Sequence, residues 1–270
     1  MTTAGAAASE IPLPPRRSLG DRLIGLLIWG GVALLLIAGA HRAEVGKFGQ
    51  LFTKAHNFVE FLSGFVHPDF TEWRLYLDQT WLTVEMALWG TFFAIIIAIP
   101  LGLLGARNIS PPWVVQPVRR LMDLLRALNE LVIGNIFVVV VGLGPFAGIM
   151  ALAINTGGVL GKLFSEAVEA IDPRPVEGVR ATGANRLQVV VWGVVPQVAP
   201  LWTSYALYRF ESNTRSATVL SLIGAGGIGQ VLFDAINGFN YSEAAAIMII
   251  VVVAVSLIDL LSQVMRKRLI

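Results

Sequence analysis

Residues 131–161 read LVIGNIFVVVVGLGPFAGIMALAINTGGVLG, thirty-one consecutive residues without a charged side chain. A helix crosses the hydrocarbon layer of a bilayer in about 20 mostly apolar residues. The stretch is therefore too apolar to face water and too long for one crossing. Its middle carries Gly142-Leu143-Gly144-Pro145, where glycine admits a tight turn and proline cannot continue a helix. Two helices are predicted, over about 121–141 and 146–164, meeting at that turn.

The same ruler finds further spans on both sides. They fall at 23–40, at 86–106 with a start reaching back toward Asp78, at 187–208, and at 244–258 extending past Asp259 to 265. The chain is thus all-α integral membrane, with about six transmembrane helices. Composition agrees: 55% of residues are hydrophobic and 14% charged, against about 25% charged in soluble domains. Mean hydropathy is +0.70. A formal net charge of only +2 argues against nucleic acid as a partner. With no cysteine, disulfides, iron–sulfur clusters and thiolate metal sites are excluded. Residues 1–15 lack a signal-peptide layout, and the first apolar run follows Arg16, Arg17 and Arg22, so that run is expected to be retained as a span.

Residues 216–233 are uncharged but hold Gly224, Gly226, Gly227 and Gly229. Each glycine costs a helix up to about 1 kcal/mol against alanine. A half-span or re-entrant segment, buried in protein, is expected there. Orientation follows from the basic residues. With Arg16, Arg17 and Arg22 in the cytoplasm, Arg107, Arg119, Arg120, Arg126, Lys162, Arg174, Arg180, Arg186 and Arg266-Lys267-Arg268 also fall inside. Both termini are then cytoplasmic. Residues 44–76 lie outside, where Phe48, Leu51, Phe52, Phe58, Phe61, Leu62 and Phe65 recur at helical spacing and read as an interfacial amphipathic helix. The division is a tail at 1–22, a first span at 23–40, an external segment at 41–77, a core at 78–265 and a basic tail at 266–270.

The cytoplasmic segment 165–188 carries the functional signal. It contains Glu177-Gly178-Val179-Arg180-Ala181-Thr182-Gly183-Ala184, and Pro196 follows thirteen residues after Gly183. A short helix beginning at Glu177 and ending at Gly183 suits this pattern, because glycine takes the left-handed turn that closes a helix. Ala181 and Ala184 permit close approach to a partner, and Arg180 and Arg186 can reach its acidic groups. The alternative is an ordinary basic loop.

The stretch resembles the cytoplasmic loop of binding-protein-dependent ABC permeases, whose pattern is Glu-Ala-Ala, three residues, Gly, nine residues, Ile, any residue, Leu, Pro. Glu177, Gly183 and Pro196 fall in register, while Gly178, Val179, Gly193 and Val195 replace the two alanines, the isoleucine and the leucine. Residues 126–131, 141–148, 161–167 and 221–229, with Ile171-Asp172-Pro173 and the run from Glu211 to Arg215, resemble the phosphonate branch of that family. Asn129 departs from it, standing where proline is expected.

The resemblance implies the type I importer permease fold, with a cytoplasmic coupling helix docked on an ATPase. It implies a second copy of the chain, two ATP-binding subunits carrying ATP and magnesium, and a periplasmic or lipid-anchored phosphonate-binding protein. The location implied is the bacterial inner membrane, in contact with lipid. This chain itself is expected to bind no cofactor or metal and to catalyse nothing. The cargo implied is a phosphonate, phosphite or phosphate, the alternative being another small substrate such as an amino acid. Arg209 and Arg215, read near the outer end of the fifth helix, either attract that oxyanion or are neutralised by Glu211. Gly226 and Gly227 offer backbone N–H groups to it, and Asn129 is placed on the same pathway.

Other signals carry less. The glycine run 224–229 partly imitates a dinucleotide fingerprint but follows no strand. Residues 157–163 fail as a phosphate loop, since Thr156 and Leu163 stand where glycine and a hydroxyl are required. His41, His56 and His67 show no ligand spacing. Asp78, Glu85 and Asp259 read as interfacial or paired. A stand-alone channel or secondary transporter would need more ionisable groups within the spans, and an intramembrane enzyme would need a nucleophile–base pair.

The assigned topology makes a direct prediction. Reporters fused before Arg16 and after Ile270 should both read cytoplasmic, and a reporter within 44–76 should read external. An external C-terminus would overturn the six-span arrangement.

Overall fold

The computed structural model describes residues 19–40 and 42–269, and among these every regular element is helical. Arg16, Arg17, His41 and Ile270 lie outside the described residues, as do the side chains of Arg22, Leu51, Phe58, Phe61 and Arg268. The chain divides into two units, residues 1–60 and 61–270.

The first unit contains α1 (Leu19–Ala40), a 3-10 turn (Val45–Gly49) and α2 (Gln50–Thr53). It ends within α3 (Ala55–Val66), which runs across the boundary. From Leu23 to Ala40 helix α1 is apolar around its whole circumference, with Leu27 and Ile37 each 75% exposed, a surface suited to hydrocarbon rather than water. The expected amphipathic helix over 44–76 is not one helix. Lys54 leaves helical geometry between α2 and α3. His67 precedes Pro68, and proline disfavours helical backbone in the residue before it. Residues 73–76 instead open the next span.

The second unit is built on α4 (Trp73–Gly105) and α7 (Pro145–Glu169), with α5 (Pro112–Ala127), α6 (Glu130–Val141), α10 (Val195–Leu220), α11 (Ile228–Asn237) and α12 (Tyr241–Leu269) around them. Lipid offers no hydrophobic drive for helices to associate, so close backbone approach through small residues must supply it. A Cβ at Gly90 would stand 2.7 Å from the Cβ of Leu152, and one at Gly102 would stand 2.6 Å from that of Phe164. Buried clusters follow one another along α4. One joins Ala98, Phe164, Val198 and Trp202. The next joins Met86, Leu152, Ala217 and Leu220, and the last joins Tyr76, Ile228, Ala235 and Ile247. In the first, Trp202 stacks on Phe164 at 4.5 Å and donates its indole N–H to the Phe164 carbonyl.

The turn expected at 142–145 is present, with Gly142 at φ 91° and α7 starting at Pro145. The span expected over 121–141 is broken. Helices α5 and α6 meet at 87°, because Leu128 is extended and Asn129 caps α6, its side chain accepting from the Leu131 N–H at 2.8 Å. An asparagine cap does locally what the missing proline would do. The helix expected over 187–208 also differs. It begins as α9 (Arg186–Val189), widens into a π turn (Val190–Val194) and continues through α10 to Leu220. The π turn lies just before Pro196, whose missing N–H and ring disturb the regular ladder.

The glycine-rich segment is joined to the helix before it. Its first residues end α10, a 3-10 turn (Ser221–Ile223) follows, and α11 continues after a 50° bend. Ala217 shares a buried cluster with Met86, and Ala235 shares one with Tyr76, so α10 and α11 follow α4 in one direction. Among the described residues four helices are long and apolar enough to cross a membrane, and counting each bent pair as one span gives six.

Packing at the α4–α7 seam is testable. Gly90→Leu should lower stability by about 1–3 kcal/mol, read as a lower melting temperature of the detergent-purified protein. Gly31→Leu, where a Cβ meets nothing within 4 Å, should leave it unchanged. Equal melting of both variants would contradict the packing.

Candidate functional site: a projecting helix and a polar cavity

The first candidate is α8 (Pro173–Ala181). Asp172 caps it, accepting from the Arg174 N–H at 3.0 Å, and Pro173 occupies the first turn where no N–H is needed. The helix thus starts four residues before Glu177, which was expected to begin it and instead sits in its middle. The strong start signal is the Asp-Pro pair. Hydrogen bonds from the Arg174 guanidinium and backbone hold the Asp172 carboxyl below its usual range. A depressed carboxylate stabilises the cap at neutral pH, and that contribution is lost as pH falls through the lowered value.

The end of α8 is as expected. The Gly183 N–H donates to the Arg180 carbonyl at 3.1 Å, and Gly183 sits at φ 83°, where a β-carbon is unfavourable. Thr182 donates its hydroxyl to the Val179 carbonyl at 2.8 Å. Asn185 and Gln188 then form a reciprocal cap that starts α9.

No residue of α8 is buried. A Cβ at Gly178 would meet nothing within 4 Å, and Glu177, Arg180 and Ala181 are exposed. Only the base of α8 is tied down. The Gln197 side chain accepts from the Asp172 N–H at 3.2 Å and donates to the Asp172 and Gly193 carbonyls at 3.3 and 2.6 Å. A Cβ at Gly193 would stand 3.2 Å from the Val176 Cα, so glycine lets α8 sit directly on the π turn. Gln197 was not singled out from the sequence, and a lone glutamine gives no local signal for such a role. A cavity of about 900 Å³ opens beside α8, between it and the α4–α5 connection, with Arg107, Glu177, Arg180, Ala184 and Arg186 on its walls.

The second candidate is a polar cavity of about 410 Å³ at the α5–α6 break. Asn129, Glu130, Asn155, Arg209, Ser212 and Ser216 line it. Arg209 is held from behind by a buried network. Its guanidinium donates to the Thr156 hydroxyl at 3.2 Å and to the Asn213 side-chain oxygen at 3.5 Å. Thr156 donates to the same oxygen at 2.8 Å, and the Asn213 amide donates to the Thr91 hydroxyl at 2.9 Å. Arg209 makes no ion pair among the described residues, and its Nε has no hydrogen-bond partner. An unpaired cation in a membrane protein is costly and points to function.

Arg215 is different. It pairs with Glu211 at 3.3 Å and Asp259 at 3.1 Å, while Arg266 pairs with Glu211 at 3.0 Å. This four-charge chain is neutral and ties α10 to α12, as expected for Asp259. Both arginines also lie deeper than the outer end of the span, because α10 runs on to Leu220. Asn213 bonds to Thr91, near the middle of α4, and Glu211 to Arg266, near the end of α12. Gly226 and Gly227 do not line the Arg209 cavity. A Cβ at Gly227 would stand 2.5 Å from the Thr83 hydroxyl oxygen, and the Ile228 N–H already donates to that hydroxyl at 3.0 Å.

Comparison with known proteins places this architecture. Residues 74–270 match the family described as "Binding-protein-dependent transport system inner membrane component". The phosphite transport system permease protein PtxC of Stutzerimonas stutzeri is 40% identical over 201 residues, covering 74% of this chain and 73% of that protein. The putative cryptic phosphonate transport system permease protein PhnE2 of Escherichia coli K12 is 60% identical over 121 residues, covering 45% of this chain and 99% of that one. Among solved structures, an inward-facing MetNI methionine ABC transporter has a chain with TM-score 0.66 and 20% identity, covering 75% of this chain and 99% of its own, a likeness of fold. With the family match spanning most of the chain, this protein belongs to the inner-membrane components of binding-protein-dependent transport systems.

Proposed function

We propose that this chain is the pore subunit of an ATP-driven importer for a phosphonate or a related phosphorus oxyanion. A separate binding protein, periplasmic or lipid-anchored, delivers the cargo. Two copies of the chain form the pore, and two ATP-binding subunits hold ATP and magnesium, leaving this chain without a cofactor of its own. Both termini face the cytoplasm, in line with the clustering of basic residues. The relatives named for phosphite and phosphonate transport support the cargo class.

The observation that carries the reading is α8. It is a short helix with no buried residue, ended by a left-handed glycine and fastened only at its base. A helix that projects this way, uncovered by its own chain, suits a groove on a partner. Glu177, Gly178, Arg180, Ala181, Thr182, Gly183 and Ala184 form the coupling element, and Pro196 sets the π turn beneath it. Through Gln197 and Gly193 the base of α8 is joined to the helix that carries Arg209 and Asn213. Nucleotide-driven movement of α8 therefore has a short route to the cavity. Alternating access follows if the ATPase prefers one of two positions of this lever. Arg209 and Asn129 lie on the cargo pathway, Arg215 braces α10 against α12, and Gly226 and Gly227 shape the bend of the broken span.

Two measurements test this. Gly183→Asp places a β-carbon in left-handed backbone at about 1–2 kcal/mol and misdirects the end of α8. The purified complex should lose ATPase stimulation by the liganded binding protein, along with uptake. Full stimulation and uptake would remove α8 from the coupling role. For the pathway, Arg209→Ala should cut initial uptake of the oxyanion by about tenfold or more, the worth of a charged hydrogen bond, with the complex still assembled. Arg215→Ala should instead lower thermal stability. Normal uptake by the Arg209 variant would make that arginine structural.

A further inference from the structure

The cavity at the α5–α6 break holds two charges of opposite sign that act on each other through space without forming a contact ion pair. Arg209 enters from α10 and makes no ion pair among the described residues. Glu130 is the first residue of α6, half-buried, and also makes none. The third charge on the wall, Arg126, is paired with Asp123 at 3.1 Å, both on α5. The rest of the polar wall is neutral. Asn129 uses its side-chain oxygen as the cap of α6, leaving its amide to donate. Asn155 gives an amide hydrogen to the Leu128 carbonyl at 2.9 Å, leaving its oxygen to accept. Ser212 and Ser216 offer hydroxyls that do either. The site thus presents one fixed cation, one fixed anionic acceptor and adaptable groups between them.

A site for a fully ionised dianion would be lined with donors alone, because a carboxylate is acceptor-only when ionised and repels negative oxygen. We infer that Glu130 is a specificity-determining residue that admits the singly protonated monoanion of a phosphonate or of phosphite, its carboxylate accepting the P–OH hydrogen while Arg209 binds an ionised oxygen. This rests on the function proposed above and names the protonation state of its cargo. The monoanion carries both a donor and acceptors and satisfies both charges. The dianion of a phosphonate or of phosphite has no hydroxyl hydrogen for Glu130 and meets its charge. A tetrahedral dianion that holds no proton near neutral pH, as sulfate does, is disfavoured for the same reason. Buried polar groups left unmatched by the wrong ligand are the strongest basis for such discrimination. The hydroxyls and amides do not distinguish the forms, so the carboxylate does. Because the two charges stand on different helices, the cargo bridges them only while α6 and α10 keep this spacing, and a change of spacing releases it.

The test uses the whole transporter in proteoliposomes, with its ATP-binding subunits and saturating loaded binding protein. Initial uptake of radiolabelled phosphite and of methylphosphonate is measured from mildly acidic to mildly alkaline pH, across the second ionisation of each. Wild type should slow as the cargo loses its last proton, by about tenfold for a lost charge-assisted hydrogen bond. Glu130→Gln, whose amide both donates and accepts, should flatten that dependence by retaining uptake of the dianion at alkaline pH. Glu130→Asp keeps the carboxylate and should keep the slope, and it is the deciding variant if Glu130→Gln fails to assemble on gel filtration, loss of the slope then overturning the role. The midpoint should differ between phosphite and methylphosphonate as their own ionisations differ, which a merely structural Glu130 would not produce. Identical slopes in wild type and Glu130→Gln, or no slope in wild type, overturn the inference. A wild-type complex that carries neither cargo at any pH overturns the proposed function, and this inference with it.

Discussion

The seam between α4 and α7 is the contact on which the other helices depend. Its closeness comes from glycines that meet Leu152 and Phe164 where a side chain would collide. Dispersion between closely approaching backbones has to do in lipid what burial from water does elsewhere. Because the seam is tight, Thr91 on α4 and Thr156 on α7 come near enough to share Asn213 of α10. A looser pair would leave that asparagine unsatisfied in the interior, at a cost of about 1–3 kcal/mol for each unmatched group. The polar network and the apolar seam are therefore one construction, and the network's outer member is the guanidinium of Arg209.

The projecting helix shows a second economy. α8 has no core of its own, and a nine-residue helix is marginal in isolation. Its shape is held by its ends: an Asp-Pro start, a left-handed glycine end and a glutamine that ties the start to the π turn. This leaves the exposed faces free of structural duty. The π turn itself is the irregularity that Pro196 imposes, and it falls at the junction between the lever and the membrane-spanning part of α10. A widened turn is a natural place for that junction to bend.

Arg209 and Arg215, six residues apart on one helix, show how context separates identical side chains. Arg215 meets Glu211 and Asp259 and becomes part of a neutral brace. Arg209 hydrogen-bonds to hydroxyl and amide groups, with no carboxylate in contact among the described residues, and remains a cation facing a cavity. From the sequence both were candidates for binding and both for neutralisation by Glu211. Which carboxylate reaches which arginine depends on α12, forty-four residues away in the case of Asp259.

The sequence by itself determined what rests on composition and local chemistry. An uncharged run too long for one span, interrupted by Gly142-Leu143-Gly144-Pro145, is read directly as two helices and a turn. The left-handed glycine at 183 follows from a short polar motif, and the long apolar stretches from counting residues. Tertiary structure decided the rest: that α10 runs on past Tyr208, that the glycine segment bends into α11, and that Asn129 and Glu130 face Arg209. Those outcomes rest on contacts such as Asn213 with Thr91, 122 residues apart. Backbone periodicity carries no record of such pairs, because it depends on neighbours three and four residues away, whereas a buried hydrogen bond depends on which distant helix the packing brings alongside.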